Sequence, residues 1–458
     1  METLEDRVSG DSVRGQRPVV VIAFCGGHPT FAWLAVGGHP LRIGRDTHPG
    51  LELDARMSRE HVEIQWHDGE WTIRDCGSRN GTFVDGVALE RPHVGAAPRV
   101  IRAGQTVLLP VDDGMATAMA RKVQQAAQVV GVRLQGALAD LARAAEAGAN
   151  ALILGESGSG KELAAASFHA SGPNRKGPLV AVNCATIPLG LAESLLFGAR
   201  RGAFSGASAD SDGYIRAADG GVLFLDEVGE LELDVQAKLL RVLGTCEVTP
   251  LGATRASKVN VRYCFATHRD LRARVEERKF RADLYYRLAQ PAIALPPLRD
   301  RLEEIPWHLA AEISAVDATL SISAELVEAC MLRPWPGNIR ELRAEARRMA
   351  FAARTTRSRV LRPAGLSPLA GAALVASHVA PAPAPSVPPP PAVTPAPPAP
   401  APADRREPVT RERIEEAFRL HGGPTAVAQA LGIHRSHLHR LMKQLGVVRP
   451  EGNGDEDG

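Results

Sequence analysis

The residues best suited to chemistry in this 458-residue chain stand together at Gly155-Glu156-Ser157-Gly158-Ser159-Gly160-Lys161. Closely spaced glycines let backbone N–H groups turn inward around an oxyanion, Lys161 adds a point charge, and a helix N-terminus adds its dipole. This is the chemistry of a cradle for the β- and γ-phosphates of a nucleotide. The position after the lysine, usually a Ser or Thr that holds Mg2+, is Glu162, so one expected metal ligand is missing. A second group follows at Asp226-Glu227. Two carboxylates beside a phosphate loop suit Mg2+ positioning by the first and water activation by the second. The glycine loop alone could be a plain turn between strand and helix. With the carboxylate pair it reads as an ATPase that uses ATP and Mg2+.

These groups need a strand and a helix to place them. The apolar run Ala151-Leu152-Ile153-Leu154 predicts a buried strand leading into the loop, and Glu162 to Ala166 predicts the helix leading out. Val222 to Leu225 is a second buried-strand run, ending at Asp226. Leu138, Leu141 and Ala145 recur at helical spacing upstream. Between residues 18 and 109 the pattern differs. Short β-rich runs (Val19 to Ile22, Phe31 to Val36, His61 to Trp66, Trp71 to Ile73) alternate with turn signals, which predicts an antiparallel sandwich.

Length and composition bound the rest. The chain has material for two to four domains. The net charge is only +2, so any nucleic-acid contact must come from a local basic patch. Six cysteines are scattered without C-x-x-C spacing and are expected to be reduced core residues. No apolar stretch reaches transmembrane length and no signal-peptide core is present, so a soluble, cytoplasmic protein without a membrane partner is expected.

Three loops of the N-terminal module carry polar constellations: Ile43-Gly44-Arg45, Ser58-Arg59-Glu60-His61 and Asp75 to Thr82. This set resembles a forkhead-associated (FHA) domain. By that resemblance Arg45 and Ser58 contact a phosphothreonine, Asn80 holds the peptide backbone, and Arg79 assists; a guanidinium with a hydroxyl suits a phosphate dianion. Gly44 and His61 are expected to support the fold. The alternative is a sandwich used only for oligomer contacts.

Downstream of the phosphate loop, the hexapeptide Gly202-Ala203-Phe204-Ser205-Gly206-Ala207 is small, glycine-flanked and tipped by one Phe. It suggests a flexible loop presenting an aromatic tip to a partner. With its surroundings it resembles the AAA+ domain of sigma-54-dependent transcription activators, the bacterial enhancer-binding proteins, where this loop contacts sigma-54. Ser205 stands where the family has Thr. The resemblance implies that Lys161 binds phosphate, Asp226 holds Mg2+ and Glu227 polarises water. It also implies that Asn183 holds or releases Glu227 and that Thr267, after a strand from Val259 to Phe265, is a polar sensor. Arg281 and Arg287 become candidate arginine fingers for a neighbouring subunit, and Arg340, in Trp335 to Leu342, lies near nucleotide. Four departures stand out: Ser205, His268 after the sensor, Ala199-Arg200 before the hexapeptide, and Gly213-Tyr214-Ile215-Arg216 after it.

From 364 to 407 the chain is Pro/Ala-rich, a composition that favours an extended spacer. Beyond it, Ile414, Ala417 and Phe418 share one helix face, Pro424 opens a second helix, and a third places Leu438, Leu441, Met442 and Leu445 inward. This predicts a helix-turn-helix with Arg435, Ser436, His437, His439 and Arg440 facing outward toward phosphates and base edges. It is similar to the Fis-type module of the same activators, with a three-helix dimerisation unit as the alternative. His434 and His437 can share a helix face, but His439 diverges from it and no carboxylate or Cys accompanies them, so a metal site is not expected.

The expected organisation is multidomain: an all-β FHA sandwich, an α/β AAA+ P-loop ATPase with a helical lid, and a small all-α helix-turn-helix. In order these are a flexible N-terminus (1–16), the sandwich (17–111), a linker (112–127), the ATPase (128–363, lid from about 299), the spacer (364–407), the helix-turn-helix (408–448) and a disordered acidic tail (449–458). The expected activity is ATP-dependent opening of promoters by remodelling sigma-54 RNA polymerase, with double-stranded DNA, a phosphothreonine protein and further copies of the chain (dimer to hexamer) as partners. The other reading is a binding-only regulator whose ring is an oligomerisation scaffold that does not engage sigma-54.

Overall fold

A computed structural model describes residues 18–112, 131–188, 190–203, 209–356, 359–373, 411–421, 424–431, 433, 435–445 and 447. The chain divides into two units, residues 1–377 and 378–458. The predicted 112–127 linker and most of the 364–407 spacer lie outside the described residues.

The N-terminal strands are β1 (Val19–Cys25), β2 (His28–Ala35), β3 (Leu41–Ile43), β4 (Val62–His67), β5 (Glu70–Asp75), β6 (Thr82–Val84), β7 (Val87–Ala88), β8 (His93–Gly95), β9 (Ile101–Ala103) and β10 (Thr106–Val111). They form the expected sandwich of two antiparallel sheets, ordered β2-β1-β10-β9-β6-β7 and β3-β4-β5-β8. A sandwich strand normally alternates apolar and polar residues, because one face meets water. Here β1 is buried at all seven positions. Val20 and Ile22 fill the sandwich interior with Ile64, Trp71, Ile73 and Leu108. Val19, Val21 and Phe24 belong to a second core, shared with Val107 and Leu109 of β10 and with a helical lid far downstream in the chain.

The P-loop region opens with α1 (Val132–Glu146) and builds a five-stranded parallel sheet, ordered β12-β13-β16-β11-β17. Its strands are β11 (Ala151–Leu154), β12 (Leu179–Asn183), β13 (Val222–Asp226), β16 (Arg262–Thr267) and β17 (Ala292–Ala294). A short hairpin, β14 (Glu247–Val248) and β15 (Ser257–Lys258), precedes β16, which therefore starts later than the predicted Val259. The helices are α2 (Lys161–Ser171), α3 (Ala192–Phe197), α4 (Gly213–Ala217), α5 (Leu233–Thr245), α6 (Leu271–Glu276) and α7 (Ala282–Leu288). The lid is α8 (Ile305–Val316), α9 (Ala324–Met331) and α10 (Asn338–Thr356), with the strand pair β18 (Ser321–Ile322) and β19 (Val360–Leu361).

Residues 364–373, expected to begin the spacer, pack onto this lid instead. Leu366 is buried, the Gly371 N–H donates to Glu341 at 2.7 Å, and the Trp335 N–H donates to the Gly371 carbonyl at 3.2 Å. The Pro-rich composition starts only after them. All six cysteines are free thiols, four buried and two (Cys76, Cys246) exposed. Among the described residues no helix is long and apolar enough to cross a membrane.

The C-terminal unit holds α11 (Arg411–His421), α12 (Pro424–Ala430) and α13 (Arg435–Leu445) around Ile414, Phe418, Val427 and Leu438. Leu445, expected inward, is exposed at the last turn of α13; Val447 is buried instead.

Candidate functional site

Parallel sheets present ligand sites beyond the carboxyl ends of their strands, and three adjacent strands here deliver the chemistry. From β11 the chain passes through Gly155 to Gly160, and α2 begins at Lys161 itself. From β13 come Asp226 and Glu227, and from β16 Thr267 and His268. Lys161, only 7% exposed, donates to Glu227 Oε1 at 3.0 Å and to the Gly155 carbonyl at 3.3 Å; Asp226 Oδ1 lies 3.9 Å away. Burial pushes the Asp226 carboxyl up, opposed by the Lys161 charge. Burial also pushes Glu227 up, but hydrogen bonds from Lys161 and His268 outweigh it and leave that carboxyl below its ordinary range.

The lid closes the site from the other side. Gly158 has φ +74, and a Cβ there would stand 2.4 Å from the Gly337 carbonyl, so only glycine permits this approach. The Ile339 N–H donates to the Gly158 carbonyl at 3.2 Å, and Arg340 Nη1 donates to Ser157 Oγ at 2.9 Å. Three residues not singled out in the sequence share this task. Asn338, fully buried, donates to Glu156 and to the Ser157 carbonyl at 3.0 Å each. Arg299 grips both oxygens of Glu156, and Arg301, fully buried, donates to the Ser159 carbonyl at 2.6 Å. Asn338 stands inside the Trp335 to Leu342 motif, where it could have been found; the two arginines had no local signal.

Between lid and sheet is a cleft of ≈ 650 Å³ lined by Ser157 to Leu163, Asn183, Asp226, Glu227 and Arg340, among others. It has the size of a small-molecule site. Ser159 Oγ is buried there without a partner, as a group awaiting a ligand would be. Glu162 lies exposed on the cleft rim. The donor set fits a nucleotide triphosphate. Among the described residues no cluster of three His, Cys, Asp or Glu could hold a metal alone, so Mg2+ would come with the phosphates, through Asp226.

In the sandwich, the loops from β3 to β4 and from β5 to β6 converge on Ser58. The Arg45 N–H donates to the Ser58 carbonyl at 2.9 Å, and the Arg79 N–H to Ser58 Oγ at 3.1 Å. Asn80 Nδ2 donates to the Arg56 carbonyl at 2.5 Å. The four residues expected to bind phosphothreonine thus stand together. Gly44 and His61 support the fold as expected. A Cβ on Gly44 would meet the Arg59 carbonyl at 1.9 Å, while buried His61 accepts the Ser58 N–H at Nδ1 and meets the Gly81 carbonyl at Nε2.

Comparison with known proteins follows this division. Residues 130–294 match the family described as the Sigma-54 interaction domain, and residues 41–109 match the FHA domain. The chain carries a sigma-54 interaction domain. It is 42% identical over 307 residues to the nitric oxide reductase transcription regulator NorR2 of Cupriavidus necator, a stretch covering 64% of this chain and 58% of that one. It is 44% identical over 214 residues to the DNA-binding transcriptional regulator NtrC of Rhizobium meliloti, covering 46% of this chain and 44% of that protein. The chain therefore matches a little over half the length of the first relative and less than half of the second. The solved structure of NtrX from Brucella abortus in complex with ATP is 29% identical over 70% of each chain, with a TM-score of 0.49.

Within the sigma-54 interaction domain the other expected residues are dispersed. Arg281 caps α7 and pairs with Asp283 at 2.8 Å, and Arg287 donates to the Leu243 carbonyl at 3.2 Å; neither lines the cleft of its own chain. Asn183 Oδ1 accepts the Ala185 N–H at 2.9 Å, and the side-chain oxygens of Glu227 accept from Lys161 and His268. Gly202 and Ala203 lie in a turn, whereas Phe204, Ser205, Gly206 and Ala207 lie outside the described residues. The base of that loop is tied by Ala199 pairing with Ser211 and by Arg200 bonding Asp210 at 2.6 Å; Arg216 bonds Asp212 at 2.8 Å. Two departures from the family pattern therefore form ion pairs flanking the loop.

The FHA domain is fastened to the lid by more than apolar contact. Arg102 Nε donates to Glu328 Oε2 at 2.5 Å, with the pair 10% and 6% exposed. Arg99 reaches the Met331 carbonyl at 3.1 Å, and Gln105 bonds both Glu325 and the Ala324 N–H on α9. In the C-terminal unit, His437, His439 and Arg440 are exposed on α13, and Arg435 and Ser436 begin the same helix.

Proposed function

We propose that this protein is an ATP-hydrolysing transcription activator that binds DNA and remodels sigma-54 RNA polymerase to open promoters. The observation that carries this reading is the convergence of Lys161, Asp226 and Glu227 in one cleft under the lid. The P-loop amides and Lys161 bind the β- and γ-phosphates, Arg340 and Asn338 fix the lid against the loop, and Glu227 orients and deprotonates the attacking water. Asp226 would hold Mg2+, which would supply charge neutralisation at the transferred phosphoryl group. Arg281 and Arg287, remote from their own cleft, serve a neighbouring copy in a ring. The hexapeptide loop is the surface offered to sigma-54, α13 reads double-stranded DNA, and the protein works in the cytoplasm.

Input comes through the FHA domain as phosphothreonine on a partner protein or a second copy. Support for this route is its attachment. Arg56, whose carbonyl holds Asn80, also approaches Glu325 of α9 at 3.9 Å. The chain then runs from α9 to Trp335 and to Arg340, which bonds Ser157 of the phosphate loop. A phosphopeptide drawing on Asn80 would pull at the same segment that holds the lid, shifting ring assembly or hydrolysis.

The test is steady-state ATP hydrolysis by the full chain. Wild type should turn over ATP with Mg2+, Glu227→Gln should bind nucleotide but lose hydrolysis about 100-fold or more, and saturating phosphothreonine peptide should change rate or oligomeric state. A Glu227→Gln protein that still activates transcription would favour the scaffold reading instead.

A further inference from the structure

The carboxylate that activates water must be aimed. Glu227 has φ +55, in the left-handed region that a non-glycine residue enters at a cost, so the strand geometry ends at Asp226. Its side chain is held by two neighbours. Oε1 takes the Lys161 ammonium at 3.0 Å, and Oε2 takes both His268 Nδ1 at 2.7 Å and the His268 N–H at 3.3 Å. An ionised carboxylate only accepts, so the Nδ1 of His268 carries the proton.

Lys161 cannot remain the anchor, because its role at the phosphates draws the ammonium away from Glu227. What then stays on the carboxylate is His268.

We infer that His268 is the positioning residue for Glu227, holding its carboxylate through the Nδ1–H donor during hydrolysis. The inference rests on the ATPase reading. The imidazole is 44% exposed, so its removal leaves no buried cavity, and loss of folding is not the expected outcome. A histidine donor at this distance is the counterpart of the outer-shell bonds that orient reactive groups elsewhere, whose loss typically costs about 10–100-fold in activity.

The experiment compares full-length wild type, His268→Ala and His268→Asn by fluorescent ATP-analogue affinity and by kcat and KM. His268→Ala should keep nucleotide affinity within about twofold and lose about tenfold or more in kcat. His268→Asn, whose amide also donates, should recover most of the rate. A His268→Ala protein with wild-type kcat, or an Asn variant as slow as Ala, overturns the inference while leaving the ATPase reading intact. A wild-type protein that binds nucleotide but never hydrolyses it would overturn both.

Discussion

At the scale of single residues, burial and close partners decide how the ionisable groups of the cleft and the lid are held. Lys161 and Glu227 neutralise each other in a cleft that also holds Asp226. Replacing Lys161 by Ala should weaken ATP affinity about tenfold or more, since the phosphates lose their point charge; a nucleotide titration checks this. A second acid marks the joint between α1 and the lid. Glu303 accepts the Val132 N–H at 3.1 Å, and burial pushes its carboxyl up from 4.5 to about 7. The folded protein then binds a proton that the unfolded chain releases, so this contribution is fully present below about 4.5 and is lost as pH rises through about 7. Denaturation midpoints should therefore fall between pH 5 and 7 by an amount that Glu303→Gln removes; identical slopes in both proteins would contradict the assignment. The phosphate loop and the Asp226-Glu227 pair were legible because each is contiguous. His268 was visible only as a departure, because its partner lies 41 residues away and nothing in the local pattern pairs them.

At the scale of elements, the sandwich and the lid share one core. The sequence held a clue: Val19 to Phe24 and Val107 to Leu109 are unbroken apolar runs where a free sandwich would alternate. That clue shows a strand buried on both faces without showing what covers it, so the sandwich itself was legible and its docking was not. The 364–373 stretch was misassigned for a related reason: a short apolar anchor such as Leu366 is hidden by the Pro/Ala composition that follows. Arg102 and Glu328 give this joint a measurable handle. Replacing Arg102 by Ala strands a buried carboxylate and should destabilise the docked pair by about 3 kcal/mol or more, whereas replacing both with apolar residues should cost less. Chemical denaturation of the single and double variants separates these outcomes; equal losses would mean the joint is held by apolar packing alone.

At the scale of the whole molecule, the chain combines an FHA domain, a nucleotide cleft beneath the lid that this domain grips, and a C-terminal unit of three helices. The sandwich and the three C-terminal helices followed from strand and helix patterning, the ATPase fold from its motifs and the resemblance they carry, and the loop at Phe204 was legible as a motif alone. The central claim is that hydrolysis drives promoter opening, and one measurement addresses it most directly: open-complex formation by the purified full chain with sigma-54 RNA polymerase, comparing ATP with a non-hydrolysable analogue. The account predicts opening with ATP, none with the analogue, and none with a Phe204→Ala protein that still hydrolyses ATP. Opening with the analogue, or no opening with ATP even when phosphothreonine peptide is present and DNA is bound, would contradict it.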